Sequence, residues 1–145
     1  ARMITARLTH PDMIAALAAA GHGSTVLLTD GHYPARTAVG PNSTTVQLNL
    51  TAGSPTVPEV LSVVLETIAV ERATLISPSA DALPSAVQDE IAELLPPQIP
   101  LERVGRQDFY ALARTPDLAL CVVTGDSRRF ANVLLTIGVL QPRDH

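Results

Sequence analysis

Apolar and polar positions change period several times along this chain, and each change marks an element. Residues 11–20 open with Pro11, whose missing N–H suits a first helical turn. They carry Met13, Ile14 and Leu17 on one face, so a helix is expected there. Gly21 is its expected left-handed stop. Thr25–Thr29 is a continuous apolar and β-branched run, the pattern of a strand covered on both faces. Asp30-Gly31-His32-Tyr33-Pro34 breaks that run and reads as a loop. Residues 46–50 alternate like a half-buried strand, and Pro58 opens a second helix with Val60, Leu61, Val64, Leu65 and Ile68 at helical spacing. A strand is expected over 72–77, a Pro/Ser/Ala-rich connection over 78–85, and a helix over 85–95 that ends at Pro96-Pro97. A short helix follows over 107–114 and a second buried strand over 118–124. Residues 132–139 are rich in Val, Leu and Ile and read as a strand, with a helix as the alternative.

Strands that alternate with helical patterns predict an α/β fold. The expected architecture is a three-layer sandwich, a mainly parallel or mixed sheet flanked by helices, with residues 1–145 as one domain. Composition sharpens this. Of 145 residues 46% are hydrophobic but only 3% aromatic, so the core is built from Leu, Val, Ile and Ala. The mean hydropathy of +0.24 is high for a small monomer and hints at buried subunit interfaces. No apolar run approaches the roughly 18 residues of a membrane span. No basic segment followed by an apolar one reads as a signal peptide, so the expected compartment is the cytoplasm. The lone Cys121, inside an apolar run, reads as a small buried hydrophobe.

Charge excludes more. The net charge is −4 and the arginines are scattered, which argues against nucleic acid, since that partner needs a basic face. All ten basic residues are arginine. Without lysine there is no Schiff-base chemistry and no P-loop.

Ligands of open α/β sheets sit at the carboxyl ends of strands. Two candidate groups attach to the first strand: His22, between Gly21 and Gly23 in the turn that enters it, and Asp30 where it ends, with His32 two residues on. On spacing alone the plainer reading of His22, a solvated turn residue beside a helix stop, is the stronger one. The second buried strand runs into Thr124-Gly125-Asp126, followed by Arg128, Arg129, Phe130 and Asn132. Asn132 can donate and accept, and arginine donors match sugar hydroxyls; equally, Asn132 reads as a capping residue and Arg106 as part of a solvated helix face.

Taken in order, these pieces resemble the fucose mutarotase / ribose pyranase family. The resemblance rests on Ala20-Gly21-His22-Gly23, on Thr29 through Ala35, on Gly53-Ser54-Pro55, on Arg106 with Phe109-Tyr110, on Thr124-Gly125-Asp126 through Asn132, and on Gly138-Val139. It implies a cytoplasmic homo-oligomer, typically a ring-based decamer, with sites near subunit contacts. It also implies a reaction on a free monosaccharide that needs no metal and no cofactor. His22 matches the family's catalytic histidine and Asp30 a substrate-site carboxylate. Arg106 matches a position that is arginine in fucose-type members and histidine in ribose-type ones, which favours the fucose-type branch. Phe130 and Asn132 align with a sugar-contacting Tyr-x-Asn motif. Phe130 departs from it by lacking the phenolic hydroxyl, which Tyr33 or Tyr110 would have to replace. Ser24 also departs, standing where an acidic residue is common.

The chemistry suits these residues. A cyclic sugar opens when its anomeric hydroxyl loses a proton and its ring oxygen gains one, and a group titrating near neutrality can do both, which points to histidine. Asp30 would accept a hydroxyl proton or orient the imidazole. His32 would share this work or brace the loop, with bracing favoured. Two rival readings stand beside this one: a metal hydrolase with His22, Asp30 and His32 as ligands, and a sugar-binding or transport accessory protein without turnover, for which the lost hydroxyl of Phe130 is the support.

Overall fold

The apolar run Thr25–Thr29 (β1) becomes an inner strand of a six-stranded sheet, all but its first residue buried. The protein is seen here as a computed structural model that describes residues 3–78 and 85–140. In chain order the elements are α1 (Pro11–Ala19), β1, β2 (Thr44–Gln47), α2 (Val57–Leu65), β3 (Val70–Ile76), α3 (Ala86–Leu94), β4 (Leu101–Val104), α4 (Arg106–Ala113), β5 (Leu118–Val123) and β6 (Val133–Ile137). The sheet order is β2-β5-β1-β6-β3-β4. Strand β6 runs antiparallel to both β1 and β3, and the other pairs are parallel. The sheet is therefore mixed, and β6 forms as the strand expected from its Val-Leu-Leu run.

Side-chain alternation divides the core into two layers. Val26 and Leu28 of β1, Leu120 and Val122 of β5, and Val133 and Leu135 of β6 pack on α1, α2 and α3. Leu27, Cys121 and Leu134 point to the opposite face, where Phe109 and Ala113 of α4 join Tyr33, Ala35 and Ala38 of the loop after β1. With helices on both sides of the sheet, the three-layer expectation holds. Among the described residues, no helix is long and apolar enough to cross a membrane.

Several local expectations shift. Helix α1 stops at Ala20 in an extended conformation, and Gly23, not Gly21, takes the left-handed φ of 88°. Strand β2 begins before the predicted alternation and ends at Gln47, because its only partner β5 ends opposite it at Val123. Leu50 beyond it is exposed. Helix α2 starts one residue before Pro58, where the Thr56 hydroxyl accepts the Glu59 N–H at 3.2 Å, the donor of an N-terminal cap. Strand β4 was not anticipated: it is a short edge strand with exposed Glu102 and Arg103, so no apolar alternation announces it. Of the connection expected over 78–85, residues 79–84 lie outside the described residues.

One glycine is demanded by the way the chain closes on itself. Gly125, after β5, accepts from Gly53 N at 2.6 Å and donates to Pro55 O at 2.9 Å. A Cβ there would sit 2.2 Å from Ser54 O and 2.4 Å from Thr51 O, both backbone atoms that cannot swing aside. Gly125→Ala is expected to destabilise on the order of 1–3 kcal/mol, as overpacking does. Gly105→Ala is the control, since nothing lies within 4 Å of a Cβ at that site. Thermal melts should show a clear drop for the first and almost none for the second; equal melting temperatures would refute the close approach.

Candidate active site

Strands β1, β3, β4 and β5 end at the same edge of the sheet, and a cavity of about 290 Å³ opens there. Asp30, His32 and Tyr33 reach it from the loop after β1, and Ile76 from the end of β3. Arg106 and Tyr110 come from the first turns of α4, and Arg129, Phe130 and Asn132 from the segment between β5 and β6. All five residues expected to bind sugar (Asp30, His32, Arg106, Phe130 and Asn132) therefore line one cavity.

The segment 124–132 is what brings them together. It leaves β5, crosses the carboxyl end of β1 and returns as β6 on the far side. The Thr124 hydroxyl donates to Thr29 O at 2.7 Å, and Gly31 N donates to Asp126 O at 3.0 Å. Asp30 N donates to Asn132 Oδ1 at 3.3 Å. Because that partner is a donor, the oxygen of the Asn132 amide must face it, and Asn132 presents its NH₂ group to the cavity. His32 Nε2 donates to Ser127 O at 2.9 Å. His32 thus braces the two loops against each other while lining the cavity, which is the favoured reading of that residue.

Two buried carboxylates stand at the ends of adjacent strands, and their surroundings separate them. Asp30 Oδ1 accepts the N–H groups of His32 (2.9 Å) and Tyr33 (3.1 Å), an Asx turn that shapes the loop. No arginine pairs with it among the described residues, and burial raises its pKa despite those hydrogen bonds and the nearby His32 ring. Asp126 is also desolvated, but Arg128 grips it in two places, Nε at 2.9 Å and Nη2 at 2.8 Å. Val57 N at the start of α2 donates a further bond at 3.0 Å. Together these outweigh burial and hold Asp126 below the usual carboxylate range. The two acids are thus pushed apart in acidity, Asp30 upward and Asp126 downward.

Phe130 carries strain. Its φ of 66° lies in the left-handed region, where a bulky side chain costs on the order of 1–3 kcal/mol. Its ring is buried, with the Arg129 guanidinium 5.0 Å from its centroid. The missing phenol has one candidate replacement. The Tyr33 hydroxyl is committed to Ala38 O at 2.7 Å in the core. The Tyr110 ring, edge-on to Tyr33 at 5.3 Å, lines the cavity itself. Tyr110 stands one helical turn from Arg106, and that i, i+4 spacing is the sequence signal that could have placed it in the site. Ile76 was detectable only as a strand end, and Arg129 stood in the candidate group after the second buried strand without being distinguished from Arg128.

His22 is elsewhere. Gly23 N bonds Ile137 O, at the end of β6 opposite to Asn132. At about 3.3 Å per residue, β1 alone separates the His22 turn from Asp30 by more than about 13 Å. His22 Nε2 lies 3.1 Å from Glu71 Oε2, with both side chains about half exposed (58% and 45%), a surface pair of small energetic worth. Within one chain, then, His22 does not face Asp30, and the ligand set His22, Asp30 and His32 of the metal-hydrolase reading is not assembled. Cys121 is buried as expected, its thiol pushed up to about 12 by desolvation.

Comparison with known proteins accords with this geometry. The profile of the RbsD / FucU transport protein family matches residues 3–140. D-ribose pyranase 2 of Streptomyces griseus is 39% identical over 125 residues, covering 86% of this chain and 88% of that protein. D-ribose pyranase of Streptomyces avermitilis is 36% identical over 138 residues, 94% of this chain and 98% of that one. In fold, the chain resembles Bacillus subtilis RbsD complexed with D-ribose, with a TM-score of 0.80, 23% identity, and 96% and 100% of the two chains covered. It also resembles the Streptococcus pneumoniae fucose mutarotase in complex with L-fucose, with a TM-score of 0.77, 19% identity, and 91% and 94% covered.

The raised pKa of Asp30 makes a stability prediction. The folded state holds this proton more tightly than the unfolded chain, so Asp30 subtracts from stability as pH rises from its unfolded pKa through its folded one. Asp30→Asn keeps an oxygen acceptor for His32 and Tyr33 and removes the buried charge. Its melting temperature is expected to equal or exceed that of the wild type at pH 7, with the difference disappearing in acid below the unfolded pKa of about 3.9. A variant that melts well below wild type at pH 7 would show that the charge is stabilising and the assignment wrong.

Proposed function

The chain belongs to the RbsD / FucU transport protein family, and from that premise we propose that it opens and recloses the ring of a free monosaccharide, as an isomerase of the sugar mutarotase / pyranase kind. The observation that carries this is the convergence of Asp30, His32, Arg106, Phe130 and Asn132, scattered over the chain, on one cavity. Its volume of about 290 Å³, just under the roughly 300–1,000 Å³ range of ligand pockets, suits a ligand as small as one sugar ring. D-ribose and L-fucose are the two substrates to test, Arg106 favouring the fucose type and the pyranase relatives the ribose type.

In this reading Asp30 accepts the proton of the anomeric hydroxyl while the His22 imidazole gives one to the ring oxygen, and reclosure returns both. The Asn132 NH₂ group and the Arg106 guanidinium hold neighbouring hydroxyls, and the Phe130 ring covers an apolar face of the sugar. Tyr110 supplies the hydroxyl that Phe130 lacks. Positioned proton transfer of this kind contributes about 10²–10⁴-fold, enough for a reaction that proceeds slowly unaided.

His22 enters the same reading from a neighbouring copy. Its exposed turn stands at the opposite end of the sheet from the cavity that holds Asp30, and the resemblance implies sites near subunit contacts. An oligomer is further supported by a second, largely apolar groove of about 930 Å³ between the residues before α1 and helix α2. Leu50 beside it is 84% exposed, and such uncovered apolar surface marks interaction sites. The decameric ring, the cytoplasmic location and the service of the whole chain as one domain belong to the same proposal.

Saturation-transfer NMR on D-ribose and L-fucose is the test. Faster exchange between ring forms is expected for at least one of them, with His22→Ala and Asp30→Asn each losing on the order of 10²-fold. Mixing the two inactive variants under conditions that exchange subunits should restore part of the activity, because mixed contacts pair an intact His22 with an intact Asp30. Absence of recovery would sink the intersubunit role. Uncatalysed exchange for every sugar, with binding retained, would replace the enzyme by a sugar-binding protein.

A further inference from the structure

Helix α3 touches the segment behind the cavity at three successive residues. Glu90 pairs with the Arg128 side chain. The Ser85 hydroxyl donates to Arg129 O at 3.3 Å. Between them Gln88, only 3% exposed, donates from Nε2 to Ile76 O at 2.7 Å and to Phe130 O at 3.5 Å. Its Oε1 accepts from Arg103 Nε at 3.4 Å. Ile76 and Phe130 are both walls of the cavity, one from the sheet and one from the crossing segment.

We propose that Gln88, which lies outside the cavity, is the positioning residue that holds Phe130 in its left-handed conformation and so sets the sugar affinity of the site. The inference rests on the ring-opening reading and adds a residue to it. The chemistry of the side chain fits the task closely. A primary amide offers two N–H donors and one carbonyl acceptor, and here two carbonyls and one guanidinium use them all. Glutamate could not donate, and an apolar residue could do neither. Nor is an amide needed to dock the helix, since Val87 and Ile91 already bury α3 against the sheet. What the amide adds is a link between the carbonyls of two residues that line the cavity. One of these belongs to the described non-glycine residue with a positive φ. Released from Gln88, Phe130 is free to relax to a negative φ and withdraw its ring from the wall.

Two substitutions test this. Gln88→Met keeps the volume without donors, and Gln88→Glu keeps the acceptor for Arg103 without donors. Both are expected to raise KM for the sugar about three- to tenfold, the scale of one hydrogen bond, with kcat within about twofold, and to lower the melting temperature, since buried carbonyls lose their donor. In a Phe130→Gly background, where a left-handed φ carries no strain, the same substitutions should change KM by less than about twofold. An unchanged KM in both variants overturns the proposal, and so does an equal rise in the Phe130→Gly background. The Cα and carbonyl chemical shifts of Phe130 give a reading independent of turnover. If the wild type exchanges no sugar, the ring-opening reading falls, and these shifts still decide the role of Gln88. A move away from the left-handed pattern in Gln88→Met sustains it, and unmoved shifts overturn it.

Discussion

The passage of residues 124–132 over the carboxyl end of β1 is the constraint on which the rest of the site depends. Strand β1 has both edges filled, by β5 and β6, and where its ladder ends the exposed backbone groups still need partners. The crossing segment supplies them: Thr124 to Thr29, Asp126 to Gly31, Asn132 to Asp30. The same bonds that close the sheet therefore set the polar floor of the cavity. Gly125 permits the segment to lie against the 51–55 turn, and Asp126 ties it to the start of α2.

Electrostatics then separates structure from chemistry within a few residues. Asp126 is satisfied four times over, by the Arg128 fork, the Arg128 N–H and the Val57 N–H, and stays ionised as a fixed anchor. Asp30 keeps its Asx-turn bonds and has His32 nearby but no arginine fork, so desolvation prevails and its pKa rises. In the proposed reading this carboxyl exchanges a proton with a sugar hydroxyl. The two arginines that line the cavity, Arg106 and Arg129, are exposed and form no ion pair with Asp30 among the described residues. Strain follows the same division. Phe130 is forced left-handed beside the cavity, and helix α3 braces the residues around it.

Local pattern made a large part of this legible. The run Thr25–Thr29 could only be a two-sided strand, and the periodic apolar positions of α1, α2 and α3 could only be helices packed on a sheet. Residues at strand ends became candidates by the ordinary logic of α/β proteins, Arg106 joined them through the family resemblance, and five of these residues do meet in one cavity. Where local pattern was weak, the reading was weak. Strand β4 exists because β3 offers it an edge, and β2 ends where β5 ends; neither fact is written in their own residues. Tyr110 was accessible through its i, i+4 spacing from Arg106, whereas Gln88 looks like any polar residue on a helix until its burial is known.

The sequence by itself determined the elements other than β4, the apolar faces, the family and five of the side chains that line the cavity, because these depend on periodicity and on motifs read in order. Tertiary structure alone decided that β6 runs antiparallel beyond β1, that Asp30 and Asp126 part in acidity, and that Tyr33 spends its hydroxyl in the core. It also decided that His22 stands at the opposite end of the strand from Asp30. A strand of known length separates its two ends by a distance that no side chain spans, and only the folded sheet shows which end holds the cavity.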